Sequence, residues 1–327
     1  MKSKIILTLL LLISISVSLI AQELSGVPAA FVDVGFGARP LGMGGAFVGL
    51  ANDVHSVIWN PAGLAKTEGR EATFAVQNHY KLVKYNFLGY SMPFQSGIEG
   101  LGFAFIYTGD DALSEMTLQA AYAREVLKGL SVGASLKYRR ASFGNNSINA
   151  SDYILFEPDE IQEGILNQVK GSANGIGFDI GALYRLNEKI MLGLMLKDIY
   201  SPVFWDSKVD NPDKKAKGSY SEVVPFETTI GSSFRVIDEL LITADYSPSF
   251  VDDVDNKIRG GVELRLFKIL YTRIGIQNNI NNVRDEKFML GIGLNIGFFK
   301  GSRLLIDYSN VSEEISSTSR ISVGFEF

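Results

Sequence analysis

The side chains that most often carry chemistry are scarce in this chain. Histidine occurs only at His55 and His79, and cysteine is missing from all 327 residues, which leaves no thiol nucleophile, no disulfide and no Cys/His set for zinc. Asp252, Asp253 and Asp255 gather carboxylates as a calcium loop does, but the glycine and the distal glutamate of such a loop are lacking, so a solvated polar loop is expected. Gly42-Met43-Gly44-Gly45 has no preceding buried strand and no βαβ frame, both of which a dinucleotide-binding turn needs. No serine, histidine and acid stand at a spacing that suggests a triad. The expectation is a protein that is not an enzyme and holds no metal or cofactor. With a net charge of −5 there is no electrostatic case for binding DNA or RNA.

The remaining chemistry is charge at alternating positions, and the elements that must position it are strands. Leu130, Val132, Ala134, Leu136 and Tyr138 alternate with Ser131, Gly133, Ser135, Lys137 and Arg139, so one face is apolar and the other small, polar or charged. The same period recurs in segments near 70–80, 82–93, 98–109, 115–126, 129–142, 173–187, 188–200, 222–236, 238–249, 255–267, 269–278, 284–298, 302–310 and 319–327. That is fourteen strands, an even number. Their connections alternate, with tight turns such as Leu127–Lys128 and Ile237–Asp238 set against longer links such as 143–172 and 201–221.

Compartment and strand length then select the architecture. Lys2 and Lys4 precede an apolar run from Ile5 to Leu12, diluted by serines to Ile20, which predicts a secretory signal peptide over 1–21. Beyond it no apolar run reaches the ~18–20 residues of a spanning helix. A soluble sandwich would point the apolar rows at a shared core. Against it stand segments close to the ~9–11 residues that cross a bilayer at a tilt, and tyrosines 90, 122, 138, 184, 246 and 308 near the ends of apolar rows, where interfacial girdles fall. The last segment adds to this, because Ile321, Val323, Phe325 and Phe327 alternate with Ser322, Gly324 and Glu326, similar to the terminal-strand signal of outer-membrane barrels. The fold class is therefore all-β, a 14-stranded antiparallel transmembrane β-barrel over 70–327, in contact with outer-membrane lipid.

In such a barrel the other face lines the lumen. It carries Lys137, Arg139, Asp179, Arg185, Lys197, Glu227, Arg235, Asp245, Arg259, Glu263, Arg265, Arg273, Asp307 and Glu326, both signs together, which predicts cross-strand ion pairs rather than the single-sign lining of an ion-selective pore. Glycines 133, 175, 177, 181, 231, 261, 275, 291, 293 and 297 on that face weaken strands unless something approaches the backbone closely. The occupant expected is the stretch Gly37–Ala65, GARPLGMGGAFVGLANDVHSVIWNPAGLA, within a lead-in over 22–69 that forms an N-terminal luminal plug. Its structural positions are Gly42, Gly44, Gly45, Asn60, Pro61, Ala62 and Gly63. Specific binding is expected in the outer links: 143–172 holds a helix-like piece with Ile161 and Ile165, and 201–221 holds Phe204 and Trp205, which either meet a partner or fold back into the barrel mouth.

The plug stretch, the fourteen strands and the terminal phenylalanine together resemble the PorV/PorQ family, itself similar to the FadL-type fatty-acid transporters. The resemblance implies an outer-membrane protein of the type IX secretion system. It further implies that the outer loops bind translocon or attachment-complex proteins, or the C-terminal domains of secreted cargo. A FadL-like transporter of hydrophobic small molecules and a purely structural barrel are the alternatives.

Overall fold

The computed structural model describes residues 35–79, 83–95, 98–110, 112–144, 169–209, 216–250, 255–280, 282–312 and 317–327. The signal peptide, the piece with Ile161 and Ile165, and Asp252–Asp253 lie outside them. Sixteen strands form a single antiparallel sheet: β1 (Glu71–His79), β2 (Val83–Gln95), β3 (Glu99–Gly109), β4 (Leu113–Leu127), β5 (Leu130–Phe143), β6 (Val169–Arg185), β7 (Ile190–Tyr200), β8 (Pro202–Val209), β9 (Lys217–Val223), β10 (Glu227–Ile237), β11 (Leu240–Ser247), β12 (Lys257–Leu266), β13 (Leu270–Asn279), β14 (Asn282–Gly297), β15 (Arg303–Ser312) and β16 (Ser317–Glu326). Fourteen of these close a ring, because β1 pairs with β16, β5 with β6, and β7 with β10, while β8 and β9 form a hairpin carried on β6.

Burial settles which way the faces point. On β5, Leu136 is 49% exposed and Tyr138 39%, while Lys137 and Arg139 beside them are 3% and 4% exposed. A soluble sandwich would invert these numbers, since it gains stability by hiding leucine and not lysine. An outward apolar band with the polar row inside is the pattern of a membrane barrel. Tyr122 and Tyr184 lie toward the ends of strands at the short turns, and Tyr138, Tyr246 and Tyr308 toward the opposite ends, all facing outward. No helix among the described residues is long and apolar enough to cross a membrane.

The fourteen expected strands are all present, with boundaries shifted by a few residues. The link 201–221 is different: it is not an irregular loop but contains β8 and most of β9. The cause lies in β7, where the β6–β7 register slips between Ile180↔Leu196 and Phe178↔Tyr200, and Asp198 adopts φ 53. Beyond this bulge the chain continues as β8 along the upper part of β6, from Gly175↔Val203 to Val169↔Val209. Alternating short and long connections hold only on average. The β1–β2 and β13–β14 links, 80–82 and 280–281, are as short as the turns at the other end.

Candidate functional site

Residues 35–69 fold inside the ring as two short helices, α1 (Ala38–Gly42) and α2 (Ser56–Trp59), followed by a 3-10 helix over Pro61–Lys66. Asn60 organises the second half of this plug. Its Oδ1 accepts from the Ala62 backbone N–H at 3.2 Å, capping the 3-10 helix, and Pro61 sits at the helix start, where a missing N–H costs nothing. Its Nδ2 donates to Val48 O at 2.9 Å and to Ala182 O of β6 at 3.1 Å. One fully buried amide thus caps the start of a helix, ties the two halves of the plug and fastens them to the wall.

The wall receives the plug on glycine. A β-carbon built at Gly275 of β13 would overlap Gly44 N, one at Gly261 of β12 would overlap Met43 O, and one at Gly133 of β5 would sit 2.5 Å from Ala62 N. Gly181 and Gly231 meet the plug in the same way, as do Gly100, Gly102 and Gly193, which the sequence reading did not single out, while a β-carbon at Gly291 would lie 3.1 Å from both Gly42 and Arg273. Each lies within six residues of the short-turn end of its strand, so the plug occupies that half of the lumen. Other luminal glycines serve differently. Gly175 faces Val203 and Gly177 faces the Asp198 bulge, Gly293 faces Asp307 and Arg273, and a β-carbon at Gly297 would meet nothing within 4 Å. Within the plug, Gly44 and Gly45 have φ of +71 and +72, which side chains rarely adopt, and a β-carbon at Gly44 would also lie 2.5 Å from Gly260 O.

Polar side chains of the wall complete the seating. Ser322 Oγ accepts from Ala38 N at 2.8 Å, Asp245 Oδ2 from Phe47 N and Val48 N at 2.9 Å each, and Glu71 Oε2 from Val54 N at 3.2 Å. Gln119 Nε2 donates to Val57 O at 2.8 Å and Ser233 Oγ to Gly49 O at 3.0 Å. These anchors come from β16, β11, β1, β4 and β10, on all sides of the ring. Buried main-chain groups of an irregular segment need such partners, since leaving one unpaired costs about 1–3 kcal/mol.

Among the described residues, many of the luminal charges join ion-pair networks toward either end of the barrel. Toward the turn end, Arg39 of the plug bridges Asp53 at 2.7 Å and Glu263 at 3.1 Å, Glu263 pairs with Arg273 at 2.6 Å, and Arg273 reaches Asp307. His55 Nδ1 lies 3.0 Å from Asp53. Burial disfavours charge on both Asp53 and His55, but the pair outweighs it. His55 and then Arg39 hold the Asp53 carboxyl well below the usual carboxylate range, and Asp53 raises the His55 imidazole above its ordinary value. Toward the loop end, Lys137 contacts Asp179 at 2.6 Å and Asp198 at 3.0 Å, Arg139 contacts Asp198 at 2.8 Å, and Ser135 and Gln119 also donate to Asp179. The cross-strand ion pairs expected from mixed luminal charge are thus present.

Two spaces flank the plug. A charged vestibule of about 430 Å³ opens on the turn side between Arg39, Asp53, Glu71, Arg265, Arg303 and Glu326. On the loop side a cavity of about 60 Å³ lies between Phe36, Ile58, Tyr85, Ile106, Lys137 and Arg139. Among the described residues no group of His, Asp and Glu is arranged to hold a metal ion.

Gly42, Gly44, Gly45, Asn60, Pro61, Ala62 and Gly63 are brought together inside the ring, with Gly42 against Gly291 and Gly63 against Ala51. Phe204 and Trp205 are separated. They fall on opposite faces of β8, leaving Phe204 58% exposed while Trp205 is 7% exposed in a small core with Ala141, Ala173 and Val203. Trp205 Nε1 donates to Glu222 at 2.7 Å, and its ring stacks on Tyr220 with centroids 5.9 Å apart. Trp205 therefore packs inward and is a structural residue, which leaves Phe204 as the surface residue of the two. Asp245, Gln119 and Asp198 escaped the sequence reading as plug and bulge residues, since a luminal charge looks the same whether its partner is another charge or a backbone amide.

A family model described as type IX secretion system membrane protein PorP/SprF matches residues 60–325. No curated protein matches the sequence. Among solved structures, the CymD monoaromatic hydrocarbon channel aligns with a TM-score of 0.59 at 16% identity, covering 90% of this chain and 97% of that one. The Ralstonia pickettii toluene transporter TbuX aligns at 0.58 and 15%, covering 89% and 97%. A Pseudomonas aeruginosa FadL homologue aligns at 0.55 and 12%, covering 87% and 96%. At such identities these likenesses establish the FadL-like barrel fold and nothing about ligands. The resemblance read from the sequence is thus met at the level of type IX secretion and a FadL-like barrel, and the matching family model is PorP/SprF.

Proposed function

The chain belongs to the PorP/SprF family of type IX secretion system membrane proteins, and on that premise we propose that it is a non-enzymatic outer-membrane component of type IX secretion that engages proteins at its outer end. In the finer, PorV/PorQ-like form of this reading, the partners are cargo C-terminal domains or surface-attachment proteins. The observation that carries it is the contrast between a plugged lumen and an exposed hairpin. The interior is held by anchors from around the wall and by ion pairs such as Arg39–Glu263 and Lys137–Asp179, whereas β8 and β9 extend the sheet beside the upper part of β6 and present Phe204 and Tyr220, 58% and 59% exposed. Exposed aromatic side chains on a rigid strand pair suit a protein hot spot.

The orientation follows the usual barrel rule, with short turns periplasmic and longer links outside, which puts the hairpin on the cell surface. Transport of a hydrophobic molecule is the second reading, favoured by the partly apolar cavity above the plug. Its 60 Å³ weighs against it, because even benzene occupies a cavity of about 150 Å³. Replacing 202–223 by a short turn tests the proposal. The expected outcome is a barrel that still assembles, with secretion or surface attachment of type IX cargo lost; normal secretion and attachment would refute it.

A further inference from the structure

A closed barrel abolishes sheet edges, yet among the described residues this one carries a strand, β9, that is paired on one edge only. β9 pairs with β8 and stands last in the strand order. The ladder is bonded at both ends, Val224 N to Ser201 O at 2.9 Å and Val209 N to Ala216 O at 3.0 Å. In an antiparallel pair, residues alternate between exchanging both hydrogen bonds with the partner and pointing both groups away. Counting through the register between those two bonds, Gly218, Tyr220 and Glu222 turn their main chain to β8, and Lys217, Ser219, Ser221 and Val223 turn theirs outward. Among the described residues nothing pairs with that second edge.

Among the described residues the strands beside β9 stop short of its second edge. Below β9 the chain continues as β10, whose outer neighbour β11 starts pairing at Ile230↔Tyr246 and ends at Ser247. Beyond Ser247 the chain leaves the ladder, and Phe250 stacks on Phe226 at the foot of β9 with ring centroids 6.1 Å apart, so β11 itself does not pair with β9. The side chains of these four residues are exposed, and two of them are serines too small to shield the backbone. Proline is absent from β9, as is any register irregularity in its pairing with β8, and both are common means of blunting an edge. Underneath, the hairpin is stiffened by the Trp205–Tyr220 stack and the Trp205–Glu222 hydrogen bond.

We propose that the free edge of β9 binds an extended segment of a secreted polypeptide by strand addition, its main chain bonding to Lys217, Ser219, Ser221 and Val223 and an apolar side chain at alternate positions packing beside Tyr220. This inference rests on the reading of the outer rim as a protein-binding surface and adds the mode of recognition. Main-chain bonding supplies affinity with little demand on sequence, and the Tyr220 ring supplies a preference on one face of the incoming strand.

The test uses the full-length protein in lipid nanodiscs, with the purified C-terminal domain of a type IX cargo from the same organism as probe. Binding should slow amide hydrogen exchange at Ser219, Ser221 and Val223. The double variant Ser219→Pro/Ser221→Pro removes only outward N–H groups, a change tolerated on an edge, and should weaken binding about tenfold or more, whereas Ser219→Ala/Ser221→Ala keeps both donors and should stay within about twofold. Retained near-ultraviolet circular dichroism from the Trp205–Tyr220 stack shows that the hairpin persists in the proline variant. Binding of the probe with unchanged exchange over 217–223 would overturn strand addition and leave the partner reading standing. No binding to the wild-type protein would overturn both.

Discussion

The plug seat and the outer hairpin are built from the same sheet and treat the main chain in opposite ways. At the seat, wall glycines, Asp245, Gln119 and Ser322 bring backbone or side-chain groups to nearly every irregular turn of residues 35–69. At the hairpin, four residues of β9 turn donors and acceptors to open space. The difference shows where an immobile structure is needed and where capacity for a partner is left, and it can be probed one residue at a time.

The largest effect is expected from Gly275→Val, since its β-carbon would overlap Gly44 N and neither backbone can yield. Overpacking usually costs about 1–3 kcal/mol, and a backbone collision lies at or beyond the top of that range. The heat-modifiable gel shift of the folded barrel should disappear in this variant and persist in Gly297→Val, where nothing lies within 4 Å. If both variants assemble equally, the glycine seat is not what positions the plug.

Glu263→Ala comes next. It leaves Arg39 and Arg273 buried beside one another without their shared carboxylate, and removing one side of a buried ion network costs about 3–5 kcal/mol. Urea titration of barrel unfolding in detergent should show the loss, with Glu263→Gln less affected because the amide oxygen still accepts.

Trp205→Ala and Phe204→Ala divide the two faces of the hairpin. Truncating the buried indole should cost up to about 3–5 kcal/mol in local hairpin stability, read as faster amide exchange over 203–222. The exposed Phe204 should change it by less than about 0.5 kcal/mol and act on partner binding instead.

The smallest effect is a pH dependence of the plug. His55 has its pKa raised from 6.5, so its contribution is fully present below that value and is lost as pH climbs through the higher folded value. Asp53 has its pKa lowered from 3.8, so its contribution is present above 3.8 and fades only in strong acid. Amide exchange at Ser56–Asn60 should therefore be slowest, after correction for intrinsic rates, near pH 5–6 and quicken toward alkaline pH. His55→Gln should flatten that profile.

Much of this architecture was legible because a strand's side chains alternate with a period of two, and each of the fourteen wall strands wrote that period into its residues. Leu136 beside Lys137 already separates lipid from lumen. The glycine row pointed to an occupant, because glycine weakens a strand unless something approaches its backbone closely, and Gly37–Ala65 was the glycine-rich stretch at hand. Asn60 and Pro61 stand among the plug's structural positions in the sequence, but only the fold makes them the start of a 3-10 helix. Luminal charge of both signs announced ion pairs without naming them.

Tertiary structure alone decided which charge meets which group. Asp245 grips two backbone amides and Asp179 a lysine, and their sequence contexts do not distinguish them, since both partners arrive from segments more than 40 residues away. It also decided the fate of 201–221, where propensity is divided between loop and strand and the outcome depends on whether β6 extends high enough to template a neighbour. That extension separates Phe204 from Trp205 and leaves β9 with one bonded edge and one free. A single chain records the period of each strand, but an edge exists only relative to the strands beside it, and those are set by closure of the whole sheet.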